Sequence, residues 1–514
     1  MPLKQHQTLV RNLVDRLDGG AGHHRCELIE THISSVILCG DTVYKIKKPV
    51  DFGFLDFTRL DDRSHFCREE VRLNRRLAPD IYLDSVPITG TLAQPGIGGD
   101  GPVLDYAVKM KRFDETAQLD HLLQQGQLDE ALIQSLAQRM AAFHDSIEQA
   151  AASSDHGHPA QILAPMLENV SQIQQSPLGA MAEQRLRTLE QWTRERFRQL
   201  QGLLSERQAN GFIRECHGDM HLGNMAKRGD EVLIFDGIEF NENLRWIDVF
   251  SELAFTTMDL AANARPVLAG QLLNQYLELS GDYDGLPLLD FYQVYRAMVR
   301  AKVAALSPRP SVQTLDKYLD LALHFTRPAT PRLLLVGGYS ATGKSTLSGH
   351  LLGDTRSVRL RSDRERKRLF ADQVGMTGQV NAGLYSPGIS AQTYAYLLRL
   401  AQQLLQHGLN VIIDATFLKR AQREPFQALA QTLSVPCQLL WLDAPAELLV
   451  QRMTQRLQLR HNISDANEDV IHHQKANAEV PGQDEAVIAI DASVEFDIAR
   501  ILRMTGLNGE NRHP

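Results

Sequence analysis

Cysteine is scarce, long apolar runs are missing and positive charge is not in excess; each shortage removes a class of protein. Five cysteines in 514 residues (Cys26, Cys39, Cys67, Cys216 and Cys437) are odd in number and scattered, without a C-x-x-C pair. That pattern suggests neither a disulfide framework nor a zinc site. Cys216 reads as a buried, inert thiol. There is no apolar run of about 18 residues, so no membrane-spanning helix is predicted. The opening Met1-Pro2-Leu3-Lys4-Gln5-His6 lacks the apolar core of a signal peptide, and a cytoplasmic location without membrane association is expected. A formal charge of −8 argues against broad, nonspecific nucleic-acid binding.

What is present is a globular composition. Hydrophobic residues make up 43% and charged residues 23%, close to average usage. A chain of 514 residues exceeds one ordinary core, so more than one domain is expected. Between Glu30 and Lys48 two strand patterns meet at a Gly40-Asp41 turn, and Pro49 ends the second. From Asp61 to Leu77 the spacing of Phe66, Glu70, Leu73 and Leu77 predicts a helix with Glu70 on its buried stripe. A buried carboxylate needs a cationic partner, and the strand just before it offers Lys45 and Lys47. Another hairpin-like region runs from Val86 through a Gly-rich turn at 96–101 to Met110, and after it the pattern becomes mainly helical.

The sequence Thr326-Arg327-Pro328-Ala329-Thr330-Pro331 breaks the last of these helices. Apolar strands at Leu333 to Val336, Val411 to Ile413, Leu439 to Leu442 and Val487 to Ile490 then alternate with helical segments, which predicts a parallel sheet covered on both faces. The chain is therefore read as a multidomain protein. Residues 1–327 form an α+β domain of two lobes, 328–331 a linker, and 332–514 an α/β domain with a parallel sheet.

Two stretches carry chemistry. Gly338-Tyr339-Ser340-Ala341-Thr342-Gly343-Lys344-Ser345 fits G-x-x-x-x-G-K-[ST] between a strand and a helix. In such a P-loop backbone N–H groups wrap phosphate oxygens, Lys344 reaches the β- and γ-phosphates and Ser345 ligates magnesium. Thr346 follows directly. Asp414 closes a strand and is the natural magnesium-side acid, a helix or turn cap being the alternative. Asp363, in Arg361-Ser362-Asp363, could serve as the acceptor's base. Arg452 and Arg456, four apart on one helical face, with Arg460 beyond, could close over transferring phosphates or form a solvated basic face.

The second stretch is His217-Gly218-Asp219-Met220-His221-Leu222-Gly223-Asn224, followed by a strand ending at Asp236. It supplies an acid that can accept a hydroxyl proton, an amide a short loop away and a strand-end acid, the groups that orient a nucleophile and hold magnesium on ATP phosphates. His217 and His221 have no third ligand spaced to make a zinc site.

With these residues in view, the loop resembles that of the aminoglycoside phosphotransferase and choline-kinase-like branch of the protein-kinase fold. The resemblance implies that Asp219 is the catalytic base, that Asn224 and Asp236 hold magnesium, and that Met110 to Phe113 is the lobe connection touching adenine. Strand alternation places Lys45 and Lys47 on one face and cannot choose between them; alignment with the family favours Lys47 as the phosphate-binding lysine, paired with Glu70. The sequence departs from the family at Gly237-Ile238-Glu239, where an aromatic is usual, and has no Gly-rich cover between Ile33 and Val43. From Arg332 to about Arg500 the chain resembles the small P-loop kinases, including the zeta-toxin and polynucleotide-kinase-like group. The whole is similar to bacterial fusions of these two kinds of domain.

The expected function is ATP- and Mg2+-dependent phosphoryl transfer at two sites, to hydroxyl acceptors that are small molecules. Two alternatives stand beside it. The first domain would be a nucleotide-sensing regulator of the second, or the second would be a nucleic-acid 5′-hydroxyl kinase.

Overall fold

The computed structural model describes residues 1–19, 25–53, 55–151, 153–374, 383–458 and 468–507. Compactness divides them into two units, Met1–Asn169 with Arg194–Asp259, and Val170–Thr193 with Leu260–Pro514. This division falls elsewhere than the 328–331 linker expected from sequence. The helices of 266–326 group with the parallel sheet, because helix Pro266–Ser280 binds that sheet's edge strand through Asn274.

The first unit is built on a six-stranded antiparallel sheet in the order Glu27–Glu30, Ser34–Cys39, Thr42–Lys47, Val103–Lys111, Tyr82–Thr91 and Gln94–Ile97. The predicted turn is present, with Gly40 at φ 57°, the left-handed conformation that glycine adopts without steric cost. Helix Leu3–Asp18, which the sequence reading did not pick out, packs Leu9, Val10 and Leu13 against Ile37, Ile46, Ile88 and Ala107. Ile46 points to that helix, so period-two alternation turns Lys45 and Lys47 to the other face. There helix Leu60–Asn74 packs Cys67 and Val71 into a cluster with Tyr82, Val108, Leu233 and Phe235.

One disulfide is present that the spacing did not suggest, between Cys26 and Cys39, with Cα atoms 4.4 Å apart. The cause is register: Glu27 pairs with Leu38, which sets the preceding Cys26 opposite Cys39. Cys67 and Cys216 are buried, and burial pushes the Cys67 thiol up to about 12.

The second unit contains a five-stranded parallel sheet in the order Ser357–Arg361, Asn410–Asp414, Leu333–Gly338, Cys437–Asp443, Val487–Asp491. Four of these strands are those read from the sequence; the edge strand Ser357–Arg361 is additional. The core beside them joins Val336, Leu347, Leu440, Leu442, Leu449 and Ile501. Among the described residues no helix is long and apolar enough to cross a membrane.

Candidate active sites

In the first unit Lys45 and Lys47 share one carboxylate. Lys45 Nζ lies 2.8 Å from Glu70 Oε1, and Lys47 Nζ lies 2.6 Å from Oε2. Lys47 is also ion-paired with Glu239, and its side chain is only 1% exposed. Lys45 is 14% exposed and reaches Asp236 Oδ1 at 2.5 Å. A buried ammonium between two carboxylates is already neutralised and enclosed. The expected Lys47–Glu70 pair therefore exists, and the lysine at the strand-end acid is Lys45. The departure at Glu239 has a physical account too, since it supplies the second counter-charge that lets Lys47 be buried. Burial pushes the Glu70 carboxyl up, but Lys45 and Lys47 outweigh it and hold the group at about 2. Burial raises Glu239 in spite of Lys47.

Asp236 has a left-handed backbone, φ 62°, which non-glycine residues rarely adopt and Asp tolerates best. Its N–H donates to the Tyr82 hydroxyl at 3.0 Å, and the next N–H, of Gly237, donates to Asn74 Oδ1 at 2.8 Å. The carboxylate is thereby presented outward, 47% exposed. Met110 is half-buried beside the cluster that holds Phe235, and Phe113 packs on Phe235 with ring centroids 4.7 Å apart. This apolar floor suits a planar base.

The loop His217 to Asn224 is held by one face of helix Val249–Ala262. Glu252 accepts the N–H groups of His217 and Gly218 at 3.2 and 2.6 Å. Thr256 donates to Met220 O at 2.7 Å, and Asp259 accepts from Leu222 N–H at 3.0 Å. Residues 252, 256 and 259 are spaced by four and three, so they share one helical face. His144 Nε2 lies 3.0 Å from Glu252. These positioning residues were not singled out from sequence, although acids and a threonine at helical spacing in an otherwise apolar helix were the signal.

Within the loop Asn224 Nδ2 donates to the carboxylate Oδ2 and the backbone O of Asp219, both at 3.0 Å. His221 Nε2 lies 3.6 Å from the same carboxylate, and Asp219 is 36% exposed. His217 Nε2 donates to Phe235 O at 2.9 Å while its Nδ1 accepts from Asp219 N–H at 3.3 Å. That pattern requires the neutral ring, in keeping with a pKa lowered by burial. His221 Nδ1 accepts from Gly223 N–H at 3.1 Å, so both histidines hydrogen-bond within the loop.

In the second unit the P-loop joins strand Leu333–Gly338 to helix Lys344–His350. Gly338 has φ 136°, and a Cβ there would lie 2.2 Å from Leu442 O, so no other residue fits. Gly343 is left-handed at φ 87°, as is Ala341 at 64°. Lys344 Nζ donates to Tyr339 O at 2.6 Å. Gln474, which the sequence reading missed, accepts from Ser340 N–H at 2.8 Å and donates to Ser340 Oγ at 3.0 Å. A cavity of about 500 Å3 opens beside the loop, lined by Ala341, Thr342, Gly343, Thr346, Arg452 and Phe496 among others. Arg452 Nη1 donates to Ala492 O at 2.7 Å on the cavity wall. The side chain of Arg456, and Arg460 altogether, lie outside the described residues.

Asp414 ends its strand opposite Val336 and Arg361 and is 5% exposed. Ser348 Oγ donates to it at 3.3 Å, and Arg361 Nε lies 3.6 Å away. Arg361 Nη2 is 3.4 Å from Ser345 Oγ. Asp363, in the first turn of helix Ser362–Val374, accepts from the Tyr385 hydroxyl at 2.9 Å and lies 3.8 Å from Lys367 Nζ.

Neither site offers nitrogen or sulfur ligands among the residues singled out for the metal. Asn224, Asp236, Ser345 and Asp414 all contribute oxygen, the donor set of a hard cation such as Mg2+. Each acid also has a side-chain cation close by, Lys45 at Asp236 and Arg361 at Asp414.

Residues 333–481 match the family model described as an AAA domain. The proteins Rv2004c of Mycobacterium tuberculosis and Mb2027c of Mycobacterium bovis are each 31% identical to the chain over 395 residues, 76% of this chain and 78% of theirs. Among solved structures, choline kinase from Cryptosporidium parvum is 10% identical, with TM-score 0.40, covering 63% of this chain and 94% of its own. A gluconokinase from Sinorhizobium meliloti is 19% identical, with TM-score 0.25, covering 35% of this chain and 93% of its own.

Proposed function

The chain belongs to the family of the mycobacterial proteins Rv2004c and Mb2027c, and we propose that it is an ATP-dependent phosphotransferase with two Mg–ATP sites acting on hydroxyl acceptors. One observation carries this reading. It is supported by Lys45 at Asp236, with Asn224 on Asp219, in one unit, and in the other by Lys344 next to Ser345, which shares Arg361 with Asp414.

In the first site Asp219 is the base. An acceptor hydroxyl gives its proton to this carboxylate as its oxygen forms a bond to the γ-phosphorus, and the bond from that phosphorus to the bridging oxygen breaks, leaving with ADP. Asn224 fixes the orientation of Asp219 through Oδ2. Lys45 meets phosphate charge, Glu70 anchors Lys45, and Met110 and Phe113 take the base. In the second site backbone N–H groups of the P-loop and Lys344 hold the phosphates, and the base occupies the cavity with Thr346 and Arg452 on its walls. Asp363 accepts the acceptor proton there. When bound, Mg2+ draws charge from the phosphate oxygens; Asn224 and Asp236 would hold it in one site, Ser345 and Asp414 in the other.

The test is labelled ATP incubated with a cell metabolite extract, comparing wild type with Asp219→Ala and Lys344→Ala. Each variant is expected to lose a different labelled product. If Asp219→Ala leaves every product and all ATP turnover intact, catalysis in the first unit is wrong, and the same result for Lys344→Ala removes the second.

A further inference from the structure

Helix Pro266–Ser280 lies along strand Ser357–Arg361, the edge of the parallel sheet. Asn274 takes the place of a neighbouring strand. Its Nδ2 donates to Ser357 O at 2.8 Å, and its Oδ1 accepts from Arg359 N–H at 2.6 Å. One turn further, Glu278 gathers three arginines. Oε1 lies 2.9 Å from Arg359 Nη2, and Oε2 lies 3.1 Å from Arg361 Nη1 and 3.6 Å from Arg364 Nε. Glu278 is 6% exposed, so water contributes little to neutralising this group.

Three guanidinium groups around one carboxylate leave positive charge that a second acid must share. For Arg361 that acid is Asp414, with Ser345 Oγ at the other end of the guanidinium. Arg359 Nη1 in turn donates to Ser345 O at 3.1 Å. Glu278 thus touches the P-loop site through two arginines, each of which contacts Ser345.

Resting on the reading of Ser345 and Asp414 as the magnesium-side pair, we propose that Glu278 is a positioning residue of the P-loop site, which holds Arg361 back from Asp414 so that the arginine does not compete with the metal. Without the Glu278 charge, Arg361 is drawn toward the acids that remain beside it, Asp414 at 3.6 Å and the more distant Asp363. The metal must then displace a tighter counter-ion.

The experiment is a magnesium titration of fluorescent ATP-analogue binding to the full chain, taking as the P-loop signal the part that Lys344→Ala abolishes. Glu278→Gln is expected to raise the magnesium midpoint of that part about tenfold, since an opposite charge within ~4–6 Å shifts a protonation equilibrium by one unit or more. Glu278→Gln combined with Arg361→Gln is expected to return the midpoint toward that of wild type, a rescue that a merely structural glutamate would not give. An unchanged midpoint in Glu278→Gln, or a double variant still shifted, overturns the proposal. Absence of any Lys344-dependent binding overturns the reading of the site itself. If Glu278→Gln loses its cooperative unfolding transition, Glu278→Asp replaces it; this variant keeps the charge but withdraws it by one methylene, and a smaller shift in the same direction is expected, its absence overturning the proposal.

Discussion

Lys45 Nζ lies 2.5 Å from Asp236 Oδ1, although 191 residues separate them in sequence. This contact joins the strand hairpin of the first unit to the acid at the end of strand Glu231–Ile234. It also gives different surroundings to two lysines that strand alternation leaves equivalent.

Lys45→Ala is expected to weaken ATP binding and turnover at the first site and to cost less stability than Lys47→Met, because Glu70 keeps Lys47 as its partner. Lys47→Met leaves Glu70 and Glu239 short of a buried partner, and removing one member of a buried ion pair costs about 3–5 kcal/mol. Thermal unfolding alongside ATP kinetics checks both. A large loss of stability in Lys45→Ala with none in Lys47→Met would reverse the assignment.

Glu70 makes stability depend on pH. Its folded-state pKa of about 2 lies below the ordinary 4.5, so its contribution is complete above about pH 4.5 and lost as pH falls toward 2. Raised Glu239 acts with the opposite sign, its charged form being disfavoured by folding as pH rises. Urea midpoints measured between about pH 5 and pH 2 should fall less steeply in Glu70→Gln than in wild type.

Glu252→Gln keeps the shape of a side chain that receives two loop N–H groups and His144 but removes its charge. Hydrogen bonds to a charged group contribute about 1.5–3 kcal/mol. The expected outcome is a fall in kcat of roughly ten- to a hundredfold at the first site, as Asp219 loses its fixed orientation, with Lys344-dependent binding unchanged. Single-turnover kinetics would show it; a change in KM alone would count against this role.

Gly338→Ala drives a methyl group into Leu442 O. Because the obstacle is backbone between adjacent strands, it cannot swing away, and overpacking of this kind costs about 1–3 kcal/mol. Lost ATP-analogue binding at the P-loop, together with a lower unfolding temperature, is the expected result.

Much of this arrangement was legible because it is local. The P-loop is a contiguous motif, and its flanking strand is an unbroken apolar run from Leu333 to Val336. Glu70 declared itself as an acid on an apolar helical stripe and is fully buried. The edge strand Ser357–Arg361 was not named because its pattern, Val-Arg-Leu-Arg, reads as charged; helix Pro266–Ser280 covers those arginines with Glu278, 81 and 83 residues before them in sequence. Lys45 and Lys47 could not be told apart because period-two spacing carries no information on which one meets Asp236 and which meets Glu239. Cys26 and Cys39 pair by strand register, and spacing alone does not encode register.

The Asn274 contact also bears on the order of synthesis. Asn274 precedes Ser357 by 83 residues, which at roughly 5–20 residues per second is a lead of about 4–17 s on the ribosome. The helix is therefore complete before the strand it shields emerges, so the outer rim of the parallel sheet meets its cover as it forms. A gene cut at 328–331 would reverse that advantage, leaving the rim bare in the nascent chain and open to pairing with another copy.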